Sequence, residues 1–232
     1  MGPRMRPVRL SFTADPCNPC RPLTPVLRSS VPHHHVCRGA DRVWVYAFDS
    51  KHGALRGALN SALHLKLPAG SGPRHLDFHP NGKWVFVLCE LDGMVVTCEW
   101  DSEHGQLLAK HSVYALPEGM ASSRAHHSGC AHVAVHPSGR HAYATTRTDN
   151  QLVVFTIHPK SGALAVAGRV STCGICPRNF LVDADRVRVL NQDSQTLIDF
   201  ALDPKTGALA DAAHGATLHM PGVCGHVLCR AP

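Results

Sequence analysis

Apolar residues along this chain come in short runs separated by turn signals, and the runs recur. Residues 72–107 read GPRHLDFHPNGKWVFVLCELDGMVVTCEWDSEHGQL. The same order returns at 128–164 as SGCAHVAVHPSGRHAYATTRTDNQLVVFTIHPKSGAL, and at 174–209 with a shortened turn. The back half of a further copy stands at 39–55 as GADRVWVYAFDSKHGAL. Gly53, Gly105, Gly162 and Gly207 each open a Gly-x-Leu step after a strand-like run, at spacings of 52, 57 and 45 residues. Short apolar runs repeating at about that period predict the blades of a β-propeller.

One unit shows why. Leu76 to Phe78 is a short run after Gly72-Pro73. His79-Pro80-Asn81-Gly82 is a turn, since Pro fixes φ and Asn-Gly supplies a positive φ. Lys83 to Glu90 contains the unbroken run WVFVLC, which suits a strand covered on both faces. Asp92-Gly93 turns the chain again into Met94 to Trp100, and Asp101 to Gly105 leads to a fourth strand near Leu107 to Tyr114. Pro or Gly interrupts nearly every window of helical length. The expected fold is all-β: a propeller of four-stranded antiparallel blades at about 39–70, 71–127, 128–173 and 174–220, preceded by a disordered leader over 1–38.

The repeat resembles the lactonase family of seven-bladed β-propellers. The residues that carry the likeness are GPRHLDFHPNGKWVFVLCELD at 72–92, HVAVHPSGRHAYATTR at 132–147, PRNF at 177–180 and NQDSQTLIDFALDPKTGAL at 191–209. Three repeats and part of a fourth are fewer than seven, so the propeller is expected to be incomplete relative to the family, with residues 221–232 as a garbled closing strand. The family places a Pro-His-x-His step two strands upstream of its Asp-Arg-Val-x-Val-Tyr strand. Here Val31-Pro32-His33-His34-His35 stands almost directly before Gly39 to Val43, which leaves the role of His33 and His35 open.

Candidate chemistry follows from hairpin symmetry. Arg74 lies eight residues before Gly82 and Glu90 eight after it, so the two should be neighbours at the end away from the turn. Ala131 and Arg147 stand alike about Gly139, and Arg178 and Gln192 flank the shortened turn near Asp185. Arg74, His75, Glu90, Arg147, Arg178 and Gln192 should therefore edge one end of the propeller. A rim of arginines with one carboxylate suits an anionic substrate. Such a pair is also often only a cross-strand ion pair. Against that stands Glu90, one of four glutamates, closing an apolar strand where a charge is costly unless paired.

The resemblance implies hydrolysis of 6-phosphogluconolactone to 6-phosphogluconate, a step of the pentose phosphate pathway, with neither cofactor nor metal. Arg74, His75 and Glu90 would be catalytic: Glu90 or His75 as general base, Arg74 at the developing oxyanion. Arg147, Arg178, Gln192 and His132 would bind substrate, the arginines taking its phosphate. The same scaffold also resembles lactonising enzymes of the muconate-cyclase type, and an inactive propeller serving as a binding module is the reading from another class. His126 and His127 are expected near the same end. His79 and His136 fall in turns at the other end and read as structural.

Composition narrows the partners. Residues 1–38 hold seven prolines, six arginines and one acid, so most of the +6 net charge belongs to this leader, and nothing marks a nucleic-acid face. The leader lacks a signal-peptide core, though its Arg-rich, acid-poor make-up also fits an organelle import signal. No apolar run is long enough for a membrane helix. Cys17-x-x-Cys20 with His33, His34, His35 and Cys37 has zinc-ligand residue types, but no strand or helix signal to fix them. Cys173-x-x-Cys176 has no second pair beside it, and Cys89 and Cys98 read as small core residues. Reduced thiols and a cytoplasmic location are expected. No G-x-S-x-G, P-loop or H-E-x-x-H motif is present. The expected partner is a small anionic sugar lactone, with no nucleic acid and no membrane.

Overall fold

The computed structural model describes residues 33–49, 52, 54–56, 64–102, 104–118, 120, 129–210 and 216–220. Among them the only helical element is one short 3-10 turn, and the strands form four antiparallel sheets. The first joins β1 (His33–Cys37), β2 (Arg42–Asp49), β3 (Ala54–Arg56) and β4 (His64–Lys66). The second runs through β5 (Pro73–Phe78), β6 (Trp84–Cys89), β7 (Met94–Asp101) and β8 (Gln106–Tyr114). The third holds β9 (Cys130–Val135), β10 (His141–Thr146), β11 (Gln151–Ile157) and β12 (Leu164–Ser171). The fourth holds β13 (Pro177–Val182), β14 (Arg186–Asn191), β15 (Thr196–Ala201) and β16 (Ala216–His219). These are blades. Their first strands β1, β5, β9 and β13 lie side by side in that order and form the inner wall.

The core sits between blades, which explains the unbroken apolar runs. Side chains alternate across a strand, so a middle strand with a neighbour on each face favours apolar residues on both faces. Val85, Val87 and Cys89 of β6 enter a cluster with Val36, Val43 and Val45 of the first blade. Phe86 and Leu88 of the same strand enter the next cluster with Val133, Ala144 and Phe155. A third cluster joins Tyr143 and Leu152 to Phe180, Val189 and Phe200. All three are continuous across a blade boundary, and each large side chain so buried contributes about 1.5–3 kcal/mol.

The blades are also clamped at their turns. His79 donates from Nε2 to the Gly139 carbonyl at 2.7 Å, and the next blade repeats the contact from His136 Nε2 to Ala184 O at 3.1 Å. Thr97 and Tyr143 donate in the same way to the carbonyls of Gly162 and Gly207. Gly162, at φ +68°, lies flat against Trp84; a Cβ there would sit 2.6 Å from the indole. His79 and His136 are thus structural, as their turn positions indicate.

The first blade departs from expectation. β1 lies inside the segment read as a leader. Three histidines in five residues carry little apolar signal, and the strand is specified by its pairing, His35 opposite Trp44 and Val36 opposite Val43. The chain then passes through the 3-10 turn Arg38–Ala40 straight into β2. No strand intervenes between β1 and β2, and β2 pairs on its other side with both β3 and β4. Residues 1–32, with Cys17 and Cys20, lie outside the described residues, as do Gly53, His126, His127 and 221–232.

Candidate functional site

Each complete blade carries an irregularity at the same place. In the second, β5 and β6 pair regularly from Phe78–Val85 to His75–Leu88, then slip so that Pro73 faces Cys89. Arg74 is the extra residue. The fourth blade slips identically between Pro177 and Asn179, leaving Arg178 as the extra residue. The third slips over the stretch that contains Ala131. A bulge at the start of an inner strand re-aims one side chain. Here it turns Arg74 and Arg178 to the rim.

Glu90 follows the last residue of β6 and is almost fully buried. Its backbone partner is Gly72, whose carbonyl accepts the Glu90 N–H at 2.7 Å, while its side chain meets the bulged Arg74 with Nε 3.5 Å from Oε2. Hairpin symmetry therefore brings the right pair together, through a bulge that simple symmetry omits. Arg147 extends from the end of β10 and donates from Nη2 to Glu90 Oε1 and, at 3.4 Å, to the Cys130 carbonyl. Arg74 also donates from Nη1 to Ala131 O. One carboxylate in the second blade thus binds a guanidinium from its own blade and one from the next, both nearly buried.

A further guanidinium reaches Glu90. Arg38, from the turn between β1 and β2, places Nε 3.5 Å from Oε2 with its side chain half exposed. Sequence reasoning counted Arg38 with the basic leader and missed it. Arg178 completes the expected set by donating from Nη1 to Gln192 Oε1 at 2.9 Å.

His75 stands beside the cluster. Its ring meets His132 edge to face, with centroids 4.5 Å apart, and His132 in turn accepts the Phe180 N–H at Nδ1 and packs on that phenyl ring. Burial, then His132, Arg74 and Arg178, hold the His75 imidazole well below its ordinary range, so it is neutral at pH 7. Burial likewise pushes the Arg74 guanidinium down to about 9, with Glu90 opposing and the other arginines reinforcing the shift. It remains charged at pH 7.

Two turn residues prepare the arginine positions. Asp41 adopts φ 49°, and its carboxylate accepts the N–H of Gly70 at 2.9 Å and of Gly72 at 2.7 Å, the latter two residues before Arg74. Asn150 adopts φ 54° and accepts the Cys176 N–H at 2.8 Å, two residues before Arg178. The second blade has Gly93 at this turn, with no side chain to offer, and the blade after it carries Ala131 in place of a bulged arginine. Asp41 in Gly-Ala-Asp-Arg and Asn150 in Thr-Asp-Asn-Gln are the signals that could have revealed this device. Among the described residues no group of three or more His, Cys, Asp or Glu side chains is arranged to hold a metal.

Four-stranded blades around an arginine-rich inner rim define a β-propeller whose charged end is built from several blades. The chain belongs to the lactonase family of seven-bladed β-propellers, whose family model matches residues 31–225. It is 34% identical over 143 residues to 6-phosphogluconolactonase of Erwinia tasmaniensis, covering 62% of this chain and 40% of that protein. It is likewise 34% identical over 145 residues to 6-phosphogluconolactonase of Bacillus subtilis, covering 62% and 39%. Among solved structures, the periplasmic gluconolactonase of Pseudomonas aeruginosa superposes with a TM-score of 0.70 at 28% identity, over 82% of this chain and 51% of that one. The chain thus spans about 40% of the length of these curated relatives and about half of that solved structure.

Proposed function

We propose that this chain is a lactone hydrolase acting on 6-phosphogluconolactone. The observation that carries the reading is the buried Arg74–Glu90–Arg147 cluster set beside a neutral His75. The names of its relatives supply the substrate.

The geometry favours a division of labour. Both Glu90 oxygens are engaged by guanidinium N–H groups, so this carboxylate serves to orient Arg74 and Arg147 rather than to take a proton. His75 is the general base. A water held by its imidazole adds to the lactone carbonyl carbon while the ring takes the water's proton. Charge develops on the carbonyl oxygen, and Arg74 stabilises it inside a desolvated site. Collapse of the tetrahedral species breaks the ring C–O bond, and the imidazolium returns its proton to the departing ring oxygen. The new carboxylic acid ionises to give 6-phosphogluconate. Arg178, held by Gln192, adds positive charge beside Arg74 and His75, and His132 buttresses the base. No step requires a metal or cofactor. The described cysteines are all free thiols, which supports a cytoplasmic setting for the reaction.

The test is hydrolysis of 6-phosphogluconolactone by the purified chain, corrected for background, with Arg74→Ala and His75→Gln beside it. Losses of about 10²-fold or more in both variants are the expected result. A folded chain with no activity above background would overturn the reading.

A further inference from the structure

Of the guanidiniums around Glu90, two are enclosed by the protein. Arg74 and Arg147 are nearly buried, and each bonds both to Glu90 and to a backbone carbonyl of the third blade. Arg178 uses Nη1 on Gln192. Arg38 is different. Its side chain is 49% exposed, and its one contact among the described residues runs through Nε. That ion pair runs through Nε, and among the described residues neither Nη1 nor Nη2 makes a hydrogen bond or ion pair.

The platform beneath Arg38 is rigid. The 3-10 turn Arg38–Ala40 ends at Asp41, and the Asp41 carboxylate is fastened by the N–H groups of Gly70 and Gly72. Cys37 pairs with Arg42 across the base of the turn. The direct passage from β1 to β2 is what brings this turn to the rim: a chain that first formed another strand would present a different residue here. Three arginines on one carboxylate leave an excess of positive charge at the rim, and Arg38 is the most exposed of the three.

We propose that Arg38 recognises the phosphate of a phosphorylated sugar lactone, binding it through the terminal guanidinium edge while Nε stays on Glu90. Two parallel N–H···O bonds to a phosphate suit arginine and are unavailable to lysine. The inference rests on the hydrolase reading and adds its specificity determinant: Arg38 distinguishes the 6-phosphorylated lactone from the plain sugar lactone. Arg74 and His75 act on the carbonyl, which both substrates share.

The experiment compares 6-phosphogluconolactone with glucono-1,5-lactone for the wild-type chain, Arg38→Gln and Arg38→Lys. The expected result for Arg38→Gln is a rise in KM for the phosphorylated lactone of about tenfold or more, the scale of a lost charged hydrogen bond. Preference for the phosphorylated over the plain lactone, as a ratio of kcat/KM, falls by the same factor. Arg38→Lys restores only part of it. Equal losses on both lactones, or no change on either, overturn the proposal. Calorimetric titration with 6-phosphogluconate provides a readout that needs no turnover. If neither lactone is hydrolysed, at least tenfold weaker binding to Arg38→Gln upholds the phosphate site while the hydrolase reading fails. Equal binding by wild type and variant, or no binding to the wild type, overturns it.

Discussion

The two ends of the blades solve the same problem with different chemistry. At the turn end, the second and third blades each grip the next through donors on backbone carbonyls: His79 on Gly139 O, His136 on Ala184 O, Thr97 and Tyr143 on glycine carbonyls. The contact is copied from blade to blade with its partners unchanged in kind. At the rim the bulge is copied too, but the residues are not. Arg74 and Arg178 stand where the third blade has Ala131, and only the second blade contributes a carboxylate at Glu90. A contact repeated in both geometry and chemistry serves the ring as a whole. A geometry repeated with changed chemistry marks the place where the ring has been adapted to a task.

Substitutions should separate the two ends. The largest effect is expected from Glu90→Ala, which strands two buried guanidiniums and should cost about 3–5 kcal/mol in urea denaturation, together with the activity. If the chain lost activity but kept its full stability, the ion pairs would be energetically idle. Gly139→Ala comes next. Its φ of +72° and a Cβ 2.7 Å from the His79 ring predict a loss of about 1–3 kcal/mol with rate constants for the surviving folded protein unchanged. His136→Ala removes one clamp and leaves the Ala184 carbonyl without its donor, for about 1–2 kcal/mol, again without altering turnover.

The smallest effect is in pH. The folded-state pKa of His75 lies below its unfolded value of about 6.5, so the unfolded chain binds the proton first as pH falls. Stability present above pH 6.5 should therefore be lost below it, and His75→Gln should flatten that part of the denaturation profile. With His75 as base, the acid limb of kcat/KM in the wild type should also lie below pH 6.5. An acid limb centred above 6.5 would remove His75 from that role.

The fold was legible because burial on both faces leaves its mark on every position of a middle strand. WVFVLC at 84–89 could hardly be anything else, and the observed β6 spans those residues. Turn chemistry fixed the other boundaries, as at Asn81-Gly82 and Asp92-Gly93. The pairs Arg74–Glu90 and Arg178–Gln192 were legible from counting about those turns. The bulges were not, since a slip of one residue is set by hydrogen bonds that several side-chain sequences allow. Neither was β1: its histidines carry no alternation, and only an apolar partner defines it. Arg38 was hidden for the same reason. A residue in a segment without pattern is assigned by its surroundings, and here those surroundings were basic and proline-rich.

The bond from Arg147 to Glu90 and that from Arg74 to Ala131 have a consequence for descent. A propeller can lengthen by duplicating the stretch of gene that encodes one blade. Such an event reproduces every turn-end clamp, because each copy brings the histidine its neighbour needs to receive. It does not reproduce the rim. A second copy of 71–127 would carry an Arg–Glu pair but would face whatever residue its new neighbour presents where Arg147 now stands. The heritable unit of this site is a pair of adjacent blades, and a recombination breakpoint between residues 90 and 147 would part the carboxylate from one of its guanidiniums.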